Sequence, residues 1–184
     1  MLLTIGHGTA SEDELAGRLR TAGVDLVVDI RIAPGSRRHP HVSRDALAGW
    51  LPERGIAYRW DKRLGGFRKP AADSPDVALR NDSFRAYAGH MRTAEFTDAV
   101  DAVLDEARTV QVAVMCSETV WWRCHRRLVS DFVALARSVE VRHVMPGAAA
   151  GVRLDEHRPT DGVRLRGDGL LVYDAGVEPL PLST

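Results

Sequence analysis

Two short stretches, "DLVVDI" at 25–30 and "VQVAVMC" at 110–116, are apolar nearly throughout. A strand with one wet face alternates apolar and polar residues. A continuous apolar run fits a strand buried on both faces, as in a parallel sheet covered by helices on each side. Helical segments flank both runs. "SEDELAGRLRTAG" opens on a cap-like Ser11, carries acids in its first turn and closes on Gly23, with Leu15 and Leu19 on one face. "SRDALAGWLPERG" reads as a second helix that Pro52 ends early. "SFRAYAGHMRTAEFTDAVDAVLDEA" reads as helix in two pieces, and "WRCHRRLVSDFVALARS" as a further helix. "LLTI", "IAYRW" and "EVRHV" complete a set of five strands.

The expected fold is therefore α/β: a single domain with a mostly parallel five-stranded sheet, helices on both faces, and a small C-terminal hairpin formed by "VRLRGDGLLVYD" around its "GDG" turn. The α/β domain is expected over 1–146. Residues 147–184 form a C-terminal extension that begins with the connector "GAAAG". The chain of 184 residues suits one domain. No apolar run approaches a membrane span, and "MLLTIGHG" lacks the basic and apolar regions of a signal peptide. Two cysteines are too few for a disulfide scaffold, so free thiols and a cytoplasmic location are expected. The oligomeric state is not legible.

Open parallel sheets bind ligands beyond the carboxyl ends of their strands. At those ends stand His7 between Gly6 and Gly8, then Asp29, Arg31 and "PGSRRHP". Further along come Gly65 and Gly66 in the "LGG" loop, then Cys116, Ser117 and Glu118, with His143 on the last strand. Residues 31–69 hold ten Lys or Arg against three acids, a bias that suits either an anionic ligand or a solvated arginine-rich surface.

The densest cluster is "MCSETVWWRCHRRL" at 115–128. Cys116 reads either as a nucleophile whose thiol is lowered by Arg123, His125 and Arg126, or as a small buried hydrophobe. Enzymes with a strand-end cysteine and an anion-binding loop place an arginine six residues on; here that position is Trp122, and Arg123 follows one step later. Glu118 reads either as a general acid or base, or as an ion-pair partner of Arg31 or Arg126. Cys124 continues the apolar stripe of Leu128, Phe132 and Leu135, leaving His125 and Arg126 to face a helix N-terminus suited to anions. Trp121 and Trp122 offer one stacking surface and one core plug. The spacings fit no metal site, and neither "GHG" nor "PGSRRHP" is a nucleotide-cofactor fingerprint, so no metal, NAD or ATP is expected.

In order, "TIGHGT", "DIR", "PGSRR", "LGG", "YAGHMRTAEF" and "MCSETVWWRCHRRL" resemble the bacterial and archaeal family called domain of unknown function 488, over roughly the first 145 residues. The resemblance implies a compact α/β domain and supplies no activity; links with nucleic-acid metabolism have been suggested for the family. It places Arg31, Ser36, Arg37, Gly65, Gly66, Cys116, Glu118, Cys124, His125 and Arg126 on signature positions. Two functions follow as expectations. The first is an enzyme acting on a nucleotide-like or nucleic-acid phosphate. In it Arg31, Ser36, Arg37, His125 and Arg126 hold the anion, Glu118 and Cys116 do the chemistry, and Arg31 and Glu118 matter more for function than for stability. The alternative is a non-catalytic module that docks nucleic acid or another anion on its basic segment 31–69.

Overall fold

The computed structural model describes residues 1–69, 71–148 and 151–176. Its strands are β1 Leu2–Gly6, β2 Leu26–Asp29, β3 Ala57–Trp60, β4 Val112–Cys116, β5 Val141–Pro146, β6 Val152–Glu156, β7 Val163–Leu165 and β8 Leu171–Tyr173. The α-helices are α1 Glu12–Thr21, α2 Arg44–Glu53, α3 Asp82–His90, α4 Ala94–Glu106 and α5 Arg126–Ala136. The main sheet has the order β3-β2-β4-β1-β5-β6. Its first five strands run parallel, and β6 is antiparallel to β5. The hairpin expected around "GDG" is β7–β8.

Strand parity divides the interior into two cores. Leu3 and Ile5 of β1, Val27 of β2, and Ala113 and Met115 of β4 pack with Leu15 and Leu19 of α1 and Leu47 and Leu51 of α2. Leu2, Val28, Val112, Val114 and Cys116 pack the opposite way, against Tyr87, Phe96, Val100, Leu128 and Phe132 of α3–α5. Ser11 caps α1 through a capping box with Glu14, and Ser43, Asn81 and Thr93 cap the starts of α2, α3 and α4.

Three local expectations change. The helix at 43–55 takes in Pro52 and closes one residue later. In the last turn the missing N–H removes a single ladder bond, and the left-handed Gly55 makes the actual stop. The helix after β4 starts at Arg126 rather than Trp122. Residues Trp121–Arg123 form a 3-10 turn, and Cys124 is extended. The sheet also has a sixth strand. β6 lies on the edge with mostly exposed side chains, so its sequence "VRLDE" carries no apolar run to announce it.

Helices α1 and α2, which follow β1 and β2, lie on one face of the sheet, whereas α5, which follows β4, lies on the other. Since β4 sits between β2 and β1, the chain diverges on both sides of its carboxyl end, and a crevice opens at each divergence. The loops after β1 and β4 touch there: the Gly8 amide donates to the Ser117 carbonyl at 2.8 Å. A Cβ on Gly6 would lie 1.7 Å from the Glu118 carbonyl oxygen and 2.7 Å from Nη2 of Arg126, whereas one on Gly17 in α1 meets nothing. Gly6→Ala should therefore strongly lower the melting temperature, while Gly17→Ala raises stability by about 0.5–1 kcal/mol through the entropy of the unfolded chain. Thermal melts of the two variants check this; a Gly6→Ala protein as stable as the parent would contradict the packing.

Candidate functional site

Two lobes meet around the end of β4. The first, about 510 Å³, is lined by His7, Thr9, Arg31, Ser36, His39 and Thr119 among others. The second, about 290 Å³, is lined by Ile32, Gly66, Phe67, Cys116, Cys124 and His125 among others. Arg31, Ser117, Glu118 and Arg123 line both. Their combined size suits a ligand of small-molecule dimensions.

Arg31 is a clasp before it is anything else. Its Nε and Nη2 donate to the two carboxylate oxygens of buried Asp29 at 2.8 and 2.5 Å, and Nη2 also donates to the Val42 carbonyl at 2.8 Å. Tyr58 completes the set, donating to Asp29 at 2.9 Å. Nη1 donates to Nε2 of His7 at 3.2 Å, which leaves His7 Nδ1 to donate to the Gly8 carbonyl at 3.0 Å. His7 is thus held neutral in one tautomer, its pKa lowered to about 4 by burial and by the Arg31 charge.

Glu118 behaves differently. The expected ion pairs with Arg31 and Arg126 do not form: its exposed side chain stands at the junction of the two lobes, while its backbone carbonyl accepts from Nη2 of Arg126. Ser36 and His39 line the first lobe, with Ser36 Oγ accepting the His39 amide at 2.9 Å. Arg37 is exposed and lines neither lobe. Gly65 and Gly66 permit close approach: a Cβ at Gly65 would sit 2.8 Å from Ile32, and one at Gly66 3.3 Å from the His125 ring. His143 is fully buried in the middle of β5, away from the cleft. Trp121 is the plug, stacked on His143 at 4.0 Å, and Trp122 is exposed.

Arg126 is wholly buried. Its Nε donates to Cys116 Sγ at 3.0 Å and its Nη1 to Thr4 Oγ1 at 3.2 Å, while Nη2 reaches the Glu118 and Thr119 carbonyls. No carboxylate pairs with it among the described residues. From Thr4 a chain of polar contacts continues. Thr4 Oγ1 lies 2.7 Å from His143 Nδ1, His143 Nε2 3.1 Å from His157 Nδ1, and His157 Nε2 3.0 Å from Asp131. Asp131 also accepts from the Thr160 amide and the Tyr173 hydroxyl, each at 2.9 Å.

Cys116 and Cys124 are both free and buried, and both touch Arg126: Nε donates to Cys116 Sγ at 3.0 Å and the backbone amide to Cys124 Sγ at 3.5 Å. Burial opposes ionisation of Cys124, but the neighbouring Cys116 thiol and the Arg126 charge outweigh burial and bring its pKa down to about 6. Burial and its neighbour Cys124 push the Cys116 thiol up.

Arg123 is the lining residue that sequence reasoning valued only as a neighbour of the thiol. Its position, one step past the arginine spacing of anion-binding loops, was the available signal. Among the described residues no cluster of three or more His, Cys, Asp or Glu could hold a metal, and no helix is long and apolar enough to cross a membrane.

The fold and cleft define an α/β protein with a ligand-sized crevice at the carboxyl edge of a mostly parallel sheet. The chain belongs to the family described as domain of unknown function DUF488, whose model matches residues 11–133. No curated protein and no solved structure matches it.

Two predictions come from this geometry. Removing Arg31 strands a buried carboxylate, so Arg31→Ala should cost about 3–5 kcal/mol. Glu118→Gln, at an exposed site, should stay within about 0.5 kcal/mol. Urea unfolding decides, and a mild Arg31→Ala would refute the clasp. The second concerns pH. Burial lowers His7, His90, His125 and His143 below the ordinary 6.5. Below pH 6.5 the unfolded chain therefore binds protons that the folded chain refuses. Stability should be fully present above pH 6.5 and fall towards pH 4, by about 1.4 kcal/mol per pH unit for each histidine still neutral. Equal stability at pH 7 and pH 5 would count against this.

Proposed function

We propose that this chain is an enzyme acting on a nucleotide-like phosphate or a related small anion held in the two-lobed cleft. The carrying observation is the division of labour among the cations. Of the ten Lys and Arg in residues 31–69, Arg31, Arg44, Arg54, Arg59 and Arg63 are paired with carboxylates. Half the basic segment is thus neutralised within the fold, which weakens the alternative of a broad nucleic-acid face. Arg123, by contrast, lines both lobes and takes part in no ion pair among the described residues.

On this reading the polar first lobe takes the phosphate, between Arg123, the outer edge of Arg31, Ser36 and His39. The second lobe, with Ile32, Phe67 and Gly66, takes the less polar part of the ligand. Glu118 stands where the two parts join and serves as the general acid or base. Cys116, at the floor of the second lobe, belongs with Cys124 to the reactive end.

Calorimetric titration with inorganic phosphate and with nucleoside monophosphates tests the reading. Binding should weaken about tenfold or more in Arg123→Ala, the loss expected for a charged hydrogen bond. Arg37→Ala, outside the lining, should bind as the parent does. Absence of binding at millimolar ligand, or equal losses in the two variants, would overturn the assignment.

A further inference from the structure

The two cysteines at the floor of the second lobe have a chemistry of their own. We propose that Cys116 and Cys124 are a peroxide-reactive dithiol that cycles between two thiols and one disulfide. Three observations carry it. The two cysteines pack into one core cluster, although seven residues separate them and each is held by a different element: Cys116 ends β4, and Cys124 precedes α5. A buried guanidinium lies against the pair, with Nε of Arg126 on Cys116 at 3.0 Å and its backbone amide on Cys124 at 3.5 Å. Both cysteines line a lobe, so a molecule the size of a peroxide has a route to them.

A thiolate is also what the electrostatics of the site call for. Arg126 is fully buried with no directly paired carboxylate among the described residues, and an unbalanced buried charge is strongly unfavourable. The groups around the sulfurs include Arg126, His125 with Nδ1 at 3.5 Å from Cys124, Tyr87 from α3, and Glu118 and Arg123 at the lobe wall. Glu118, which is exposed, is the one acid lining this lobe among the described residues.

The Cys124 thiolate attacks one oxygen of a hydroperoxide. The O–O bond breaks, Cys124 becomes a sulfenic acid, and the departing oxyanion takes a proton from solvent to leave as water or an alcohol. The Cys116 sulfur then attacks the Cys124 sulfur. The S–O bond breaks, and the hydroxyl leaves as water with the proton from Cys116. Two thiols and one hydroperoxide thus give one disulfide, one water and one further water or alcohol. A dithiol reductant returns the pair by thiol–disulfide exchange.

The test uses the full chain, reduced, freed of reductant and treated with equimolar hydrogen peroxide. Both thiols should disappear together, the mass should fall by two hydrogens, and digestion should yield a peptide linking residues 116 and 124. Cys116→Ser should accumulate a sulfenic acid at Cys124 that dimedone traps. Cys124→Ser should react about tenfold more slowly or less, since it lacks the acidified thiol. In the parent, the rate should rise with pH to a plateau, half-maximal near 6. The proposal fails if the thiols react no faster than in the urea-unfolded chain, if no 116–124 linkage forms, or if Cys124→Ser keeps the parent's rate. Should that variant not fold, a parent profile centred near the ordinary thiol value of about 8.5 overturns it equally. The phosphate titration of Arg123→Ala is a separate measurement, so failure of the dithiol and failure of the anion site are distinguishable.

Discussion

Everything at the carboxyl edge depends on how one guanidinium is accommodated inside the α3–α5 core. Arg126 can only donate hydrogen bonds and the Asp131 carboxylate can only accept them, and through neutral histidines these two ends set the direction of the bonds between them. Thr4 accepts from Arg126 and gives its own proton to His143 Nδ1. His143 therefore carries its hydrogen on Nε2 and donates to His157 Nδ1, and His157 donates from Nε2 to the Asp131 carboxylate. All four bonds point the same way, from a buried cation to a buried anion. Aligned dipoles of this kind strengthen one another in a low-dielectric interior. They let Asp131 balance Arg126 at a distance while leaving the near side of the guanidinium to the two sulfurs.

The backbone makes room for this arrangement. Thr4, Gly6 and Cys116 face α5 by strand parity, and only a glycine at position 6 leaves space for the Glu118 carbonyl and Arg126 Nη2. The remainder of the chain closes the far end. His157, Thr160 and Tyr173 come from beyond the residues that the family model matches, yet three of the bonds to Asp131 are theirs. The segment after β5 is therefore bound to the site by polar contacts as well as by β6 on the sheet edge.

The parts of this structure that obey periodicity were legible in the sequence. Continuous apolar runs marked β2 and β4, Ser11 marked the start of α1, and "GDG" marked the hairpin. Convergence of His7, Arg31, Ser36, Gly66, Cys116 and Glu118 at one edge followed from the parallel order alone. The hidden parts are those in which polar residues do interior work. Arginine is ordinarily a surface residue, so nothing in "RCHRRL" marks Arg126 as buried and Arg127 as its partly exposed neighbour. Arg31 looked free for a ligand because its clasp partner, Asp29, was read only as another strand-end polar group. The contact of His143 with His157 depends on β6, which has no apolar signature.

Three arginines at one edge thus have three different states, and the difference bears on what the cleft can hold. Arg31 is neutralised by Asp29, and Arg126 is held by Cys116 and Thr4 and linked through the chain to Asp131. Arg123 stands at the lobe wall outside the ion pairs seen among the described residues. A polyanion needs a row of uncompensated cations and draws its affinity from releasing many counterions. One such arginine, with the edge of a second and hydroxyl groups around it, matches instead a ligand with a single phosphate or carboxylate. Glu118, exposed beside that arginine, adds a negative charge that a polyanion would oppose and that a substrate with a transferable proton could use. The charge count inside the cleft, rather than the charge count of the segment that builds it, is what supports the small anionic ligand proposed above.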